Sequence, residues 1–135
     1  MPIPDASIAV ALFLTGDPNH DCARDWYEGV RDAGGRLRAP AILLAEVSSA
    51  ITRSHQDPAR AEATIATILR LGIFEIHAIS PVLAVRAAEI ARTASLRGCD
   101  AIYVAFAAEL DDVLVTLDDE QFVRGGRIAR VERPA

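Results

Sequence analysis

Four acids far apart in the chain, Asp5, Glu46, Asp100 and Asp118, stand where strands and helices are expected to join. Carboxylates drawn into one partly desolvated cleft repel, and each raises its neighbours' affinity for a proton or a cation. At neutral pH a hard divalent cation relieves that repulsion, and Mg²⁺ or Mn²⁺ suits an all-oxygen donor set that keeps some of its waters. The His and Cys ligands that zinc prefers are not offered in any metal-binding spacing. A cation held this way lowers the pKa of a water, polarises a phosphoryl oxygen and steadies a leaving alkoxide. Together these describe phosphodiester hydrolysis with the activated water as nucleophile. Ser7 and Thr116, each two residues from a site aspartate, are placed to hydrogen-bond the carboxylates or a phosphate oxygen.

Each acid alone has a plainer role. Asp5 can cap the helix that follows it, and Asp100 can answer the dipole of its own helix. Glu46 can be the exposed edge of an amphipathic helix, and Asp118 with Asp119 a solvated turn. Their joint placement favours chemistry, and that placement depends on the elements around them.

Ile102, Phe106 and Leu110 recur every four residues and mark a helix that Asp100 opens. Val113, Leu114 and Val115 form a short run apolar on both faces, as in a central parallel strand, and Asp118 lies just beyond its end. Residues 1–5 read as a weak first strand on which Pro2 and Pro4 limit the ladder bonds, with Asp5 behind it and a helical run at 8–14. After the break at Gly16, Asp17, Pro18 and Asn19, a helix over 20–33 carries Cys22, Trp26 and Val30 on its inner stripe. A strand at 36–39 is closed by Pro40. The helix over 41–52 points Ile42, Leu43, Val47, Ala50 and Ile51 inward, with Glu46 beside that face. Asp57 and Pro58 open a helix that Gly72 stops, and a strand lies within 73–79. Ser80 and Pro81 open a helix carrying Val82, Val85, Ala88 and Ile90; a helical turn at 120–123 and a last strand at 127–131 follow Asp118. Strand and helix alternate, which predicts a three-layer α/β/α sandwich with a mostly parallel sheet. Right-handed crossovers bring strand ends of one kind to one edge, so the four acids can converge.

The 135 residues, 51% hydrophobic and 24% charged, read as one domain over 1–135. No apolar run reaches the roughly 18 residues that a membrane span needs. The chain is expected to be cytoplasmic, without a membrane partner. Cys22 and Cys99 are read as small buried or half-buried thiols. Asp111, Asp112 and Glu109 are expected in solvent. All 14 basic residues are arginine, so Walker A phosphate binding and Schiff-base chemistry are excluded. The net charge of -5 leaves any nucleic-acid contact to local arginines and a metal.

Four motifs in order, Asp5-Ala6-Ser7, Ala45-Glu46-Val47, Gly98-Cys99-Asp100-Ala101 and Leu114-Val115-Thr116-Leu117-Asp118 followed by Phe122, resemble those of a PIN domain. The compact form is most similar to VapC toxins of prokaryotic type II toxin-antitoxin systems. The resemblance implies a Mg²⁺- or Mn²⁺-dependent ribonuclease with Asp5, Glu46, Asp100 and Asp118 as the acidic quartet. Asp5, Asp100 and Asp118 are then the metal ligands, with Asp119 as an alternative. It also implies a homodimer and a cognate antitoxin that covers the site and can insert an arginine near the acids. Arg97, beside the Asp100 motif, is the first expected RNA contact. Two other readings remain open: a catalytically silent PIN-like binding or dimerisation module, and a housekeeping RNA or DNA nuclease. A receiver domain would need a lysine near the last strands. A haloacid-dehalogenase-like phosphatase would need an acid where Ser7 stands.

Overall fold

The computed structural model describes residues 1–135. Five short strands, β1 (Ile3–Pro4), β2 (Leu37–Pro40), β3 (Phe74–His77), β4 (Leu114–Val115) and β5 (Val131–Glu132), are connected by six α-helices. These are α1 (Ala6–Phe13), α2 (His20–Asp32), α3 (Ile42–His55), α4 (Pro58–Leu71), α5 (Pro81–Ala94) and α6 (Gly98–Leu110). All pairings are parallel, with β1, β4 and β5 in one ladder and β2 and β3 in another.

A single backbone hydrogen bond, from the Arg38 N–H to the Pro2 carbonyl at 3.0 Å, stitches the two ladders together. The cause is proline. The N–H groups of Ile3 and Asp5 reach the carbonyls of Val113 and Val115 at 2.8 and 3.1 Å. The alternate positions, Pro2 and Pro4, therefore face β2 with no N–H to donate, and Pro40 brings the same deficit from the other side. Across this seam the strand order is β3-β2-β1-β4-β5. The chain winds outward to β3 and then returns to β4, so the order reverses between β1 and β4. At such a switch point a crevice opens outside the carboxyl ends of the strands.

Right-handed crossovers place α1 to α4 on one face of the sheet and α5 and α6 on the other. The packing agrees: α1 touches α2 and α3, α3 touches α4, and α5 lies along α6. On β4, Val115 packs with Ile8, Ala11 and Ala23 of α1 and α2, while Leu114 joins the larger cluster that holds Val104 and Ala107 of α6. Neighbouring residues of a strand face opposite sides, so β4 is apolar on both because both are covered. Asp57 accepts the Arg60 N–H at 2.9 Å ahead of Pro58, Ser80 accepts the Leu83 N–H at 3.1 Å ahead of Pro81, and Gly72 ends α4 with a positive φ of 60°.

Several expectations are corrected. Cys22 is exposed, and Ala23 is the buried residue of α2. On α5 the buried face is Leu83, Ala87 and Ile90, whereas Val82 and Val85 are 76% and 71% exposed and Ala88 faces out with them. α6 is buried over a wider arc than the Ile102, Phe106 and Leu110 stripe, with Tyr103, Val104 and Ala107 inside and Ile102 and Leu110 only half-buried. Pro40 belongs to β2 rather than closing it, and the last strand is Val131–Glu132 rather than 127–131. The turn after Asp118 is a π-helical one at Gln121–Gly125. Gly125 is buried there because a Cβ would stand 2.9 Å from Val104 Cγ2. Asp112 is not solvated: it binds the amino terminus at 3.0 Å and Arg38 at 2.7 Å.

Candidate active site

Asp5 leaves β1 and caps α1, so the backbone that ends the strand also aims the carboxylate. Its Oδ1 accepts the Ser7 N–H at 3.0 Å, the Ile8 N–H at 3.3 Å and the Ser7 hydroxyl at 2.5 Å; its Oδ2 accepts the Thr116 hydroxyl at 2.5 Å. Thr116, fully buried where β4 ends, also accepts the Asp118 N–H at 2.9 Å. Ser7 Oγ accepts the Leu117 N–H at 3.1 Å. Two hydroxyls thus tie the exit of β1 to the exit of β4 across the switch point. Asp118 Oδ1 in turn accepts the Gln121 N–H at 2.8 Å, which fixes the aspartate against the π-helical turn.

The other two acids come from the two helical layers. Glu46 lies in the second turn of α3 and Asp100 in the first turn of α6. Asp100 is 8% exposed, and its Oδ2 accepts from Arg97 Nε at 3.0 Å. The same guanidinium, through Nη2, stands 3.7 Å from Asp118 Oδ2. Glu46 Oε1 is buried with no hydrogen-bond partner, and so is the hydroxyl of Tyr103, one turn beyond Asp100 on α6.

Burial pushes the Asp5, Glu46 and Asp100 carboxyls above the usual carboxylate range. Neighbouring charge adds to it: Asp100 acts on Asp5, Asp100 and Asp5 on Glu46, and Asp118 on Asp100. Hydrogen bonds from Ser7 and Thr116 oppose the rise at Asp5, the nearby Tyr103 hydroxyl opposes it at Glu46, and Arg97 opposes it at Asp100. An acid whose folded pKa is raised binds more protons folded than unfolded, so stability falls as pH rises. In chelator, the protein is expected to melt at a higher temperature as pH is lowered from about 8 towards the ordinary carboxylate values near 4 to 5. Saturating Mg²⁺ should remove most of that slope by stabilising the ionised form. Circular-dichroism melts across this range check it, and a melting temperature that climbs with pH in chelator would be the contrary result.

The four sequence-predicted acids therefore reach one edge, with Ser7 and Thr116 hydrogen-bonded to Asp5. Asp119 does not join them: it is 91% exposed and pairs with Arg133. Arg97, the first expected RNA contact, lies against Asp100 and Asp118. Two residues were missed. Gln121 is fully buried, and its Nε2 donates to the Asp100 carbonyl at 3.2 Å, joining the π-helical turn to the start of α6. The spacing of Asp118 and Gln121, an acid followed three residues later by a glutamine, is a helix-start signature that pointed to it. Tyr103 was legible only as the residue one turn after Asp100.

The donor set fits a hard divalent cation: every candidate ligand atom is a carboxylate oxygen, and Glu46 Oε1 is buried without a partner. As the side chains stand, no three acidic, His or Cys residues close around one point, and Asp100 and Asp118 both lie against Arg97. Beside the acids runs an open groove of about 490 Å³, with Ala6, Glu46, Arg53, Arg97 and Cys99 among its walls. Arg53 makes no ion pair there.

Residues 3–127 match the model of the PIN domain family. No curated protein matches the chain significantly. Among solved structures, the chain is similar to VapC20 of Mycobacterium tuberculosis, a Sarcin-Ricin loop cleaving toxin, at 18% identity and a TM-score of 0.75 over 93% of this chain and 95% of that one. It is similar to DNA-bound VapBC from Salmonella typhimurium at 16% identity and a TM-score of 0.75, over 99% of this chain and 98% of that one. A toxin-antitoxin complex from Klebsiella pneumoniae gives 23% identity and a TM-score of 0.67, over 100% and 98%. With the model spanning nearly its whole length and the fold shared with these structures, the chain belongs to the PIN domain family.

Proposed function

We propose that this protein is a Mg²⁺- or Mn²⁺-dependent endoribonuclease acting as the toxin of a toxin-antitoxin pair. The observation that carries the reading is the set of proton-hungry carboxyls, buried Asp5 and Asp100 and half-buried Glu46, gathered at the switch point. Asp5, Asp100 and Asp118 would hold the cation, which when bound supplies an activated water and neutralises charge at the phosphoryl group. Glu46, kept basic by burial and by its acidic neighbours, takes the proton of the attacking water. Ser7 and Thr116 hold Asp5 in place. Arg53 and Arg97 on the groove wall meet the phosphates of the RNA.

That solved relatives are toxin-antitoxin complexes supports a cognate antitoxin as partner. Val82 and Val85, exposed on α5, give a homodimer an apolar face to bury. No helix is long and apolar enough to cross a membrane, which accords with a cytoplasmic enzyme.

The test is RNA cleavage in Mn²⁺ by the purified protein and by Asp100→Asn. The variant should stay folded and lose cleavage; equal activity in the two rejects the assignment. Growth arrest on expression, relieved by a co-expressed small neighbouring protein, separates a toxin from a housekeeping nuclease. One observation favours a silent binding module instead: no three acids close around a point. Calorimetry decides, since a silent module has no reason to take up Mn²⁺.

A further inference from the structure

Arg97 sits in an unusual place for a substrate-binding arginine. It is the N-cap residue of α6, held by the buried Leu96 before it, and its side chain is 72% exposed. Yet the guanidinium is turned back onto the acids, with Nε 3.0 Å from Asp100 Oδ2 and Nη2 3.7 Å from Asp118 Oδ2. The guanidinium thus lies against one oxygen from the first turn of α6 and one from the residue that follows the exit of β4. Glu46 Oε1 has no hydrogen-bond partner. One positive group therefore bridges two of the three proposed metal ligands.

We propose that Arg97 is an internal counter-ion that competes with the divalent cation for Asp100 and Asp118, so that metal loading requires its guanidinium to swing out. This rests on the metal site proposed above. An exposed ion pair is weak, worth up to about 1 kcal/mol, so the guanidinium is displaceable. While it stays in place, the apparent metal affinity is lowered by the fraction of molecules in which the site is closed. No other arginine reaches these two carboxylates.

The experiment uses the full chain with ¹⁵N-labelled arginine and MgCl₂ as the probe. In chelator the Arg97 Nε–H resonance, assigned by its loss in Arg97→Gln, should be protected from exchange. On Mg²⁺ titration it should shift and lose protection with the midpoint found by calorimetry. Arg97→Gln should bind Mg²⁺ roughly 3- to 5-fold more tightly than the parent, the factor an exposed pair at the upper end of its range supplies. Arg24→Gln, which removes an exposed arginine from α2, should change the affinity less than about 2-fold. If Mg²⁺ binds while the Arg97 resonance is undisturbed, or if Arg97→Gln binds no more tightly, the competition is refuted and the metal site survives. If neither protein binds Mg²⁺, both fall together.

Discussion

The Asp5→Asn protein is expected to lose RNA cleavage by about 10³-fold or more, roughly 4 kcal/mol of transition-state stabilisation, and to melt no lower than the parent in chelator. Activity and stability separate because the carboxylate has two jobs that an amide does unequally. As a cap, Asn keeps an oxygen for the Ser7 and Ile8 N–H groups and the Ser7 hydroxyl. Its amide nitrogen would then face Thr116, whose hydroxyl becomes an acceptor and turns its proton to Gln121 Oε1, 3.4 Å away. The buried charge whose desolvation raises the Asp5 pKa is gone, which favours the folded state when no cation is bound. The charge is also what a cation needs, so the amide forfeits the ligand. Cleavage assays in Mn²⁺ with parallel melts check both halves; activity within tenfold of the parent would contradict the role given to Asp5.

Thr116→Val should lower stability by about 2–4 kcal/mol, or roughly 10 °C in melting temperature for a chain of this size, and reduce cleavage by about 10- to 100-fold. Valine matches threonine in shape, so packing is preserved and the loss is polar. Without the hydroxyl, Asp5 Oδ2 loses its only donor, where burial leaves no water to replace it, and the half-buried Asp118 N–H loses its acceptor. Thr116→Ser restores both bonds and should recover most of the activity. A valine variant as stable and active as the parent would show that the link between the β1 and β4 exits is dispensable.

The parts of the fold legible in the sequence are those set by neighbours in the chain. Asp57 with Pro58, Ser80 with Pro81 and Gly72 mark helix ends by local chemistry, and the structure uses them so. The face of α5 was misread for the opposite reason. Its residues, PVLAVRAAEIARTA, are apolar on several sides, so periodicity admits more than one stripe; only the packing of α6 against Leu83, Ala87 and Ile90 selects one. The breadth of burial on α6, and with it Tyr103, was hidden likewise. Asp112 was read as a solvated turn acid because its partners, the amino terminus and Arg38, lie 111 and 74 residues away. Within the candidate site, Asp5 and Asp100 follow from strand-end and helix-start signals. The pairing of Arg97 with Asp100 was available as a three-residue helical spacing, whereas its approach to Asp118 depends on the crossover that brings β4 beside α6.

The proline seam between β1 and β2 bears on how rigid the acid cluster is. Asp5 and Asp118 stand on the ladder of β1, β4 and β5, while Glu46 is carried by the helix that leaves β2, on the other side of the seam. One backbone hydrogen bond spans that line, so packing, α1 on α3 and α6 on β2, holds the glutamate's ladder to that of the aspartates. The two halves of the acid cluster thus ride on separate ladders, joined by side-chain packing rather than by strand pairing.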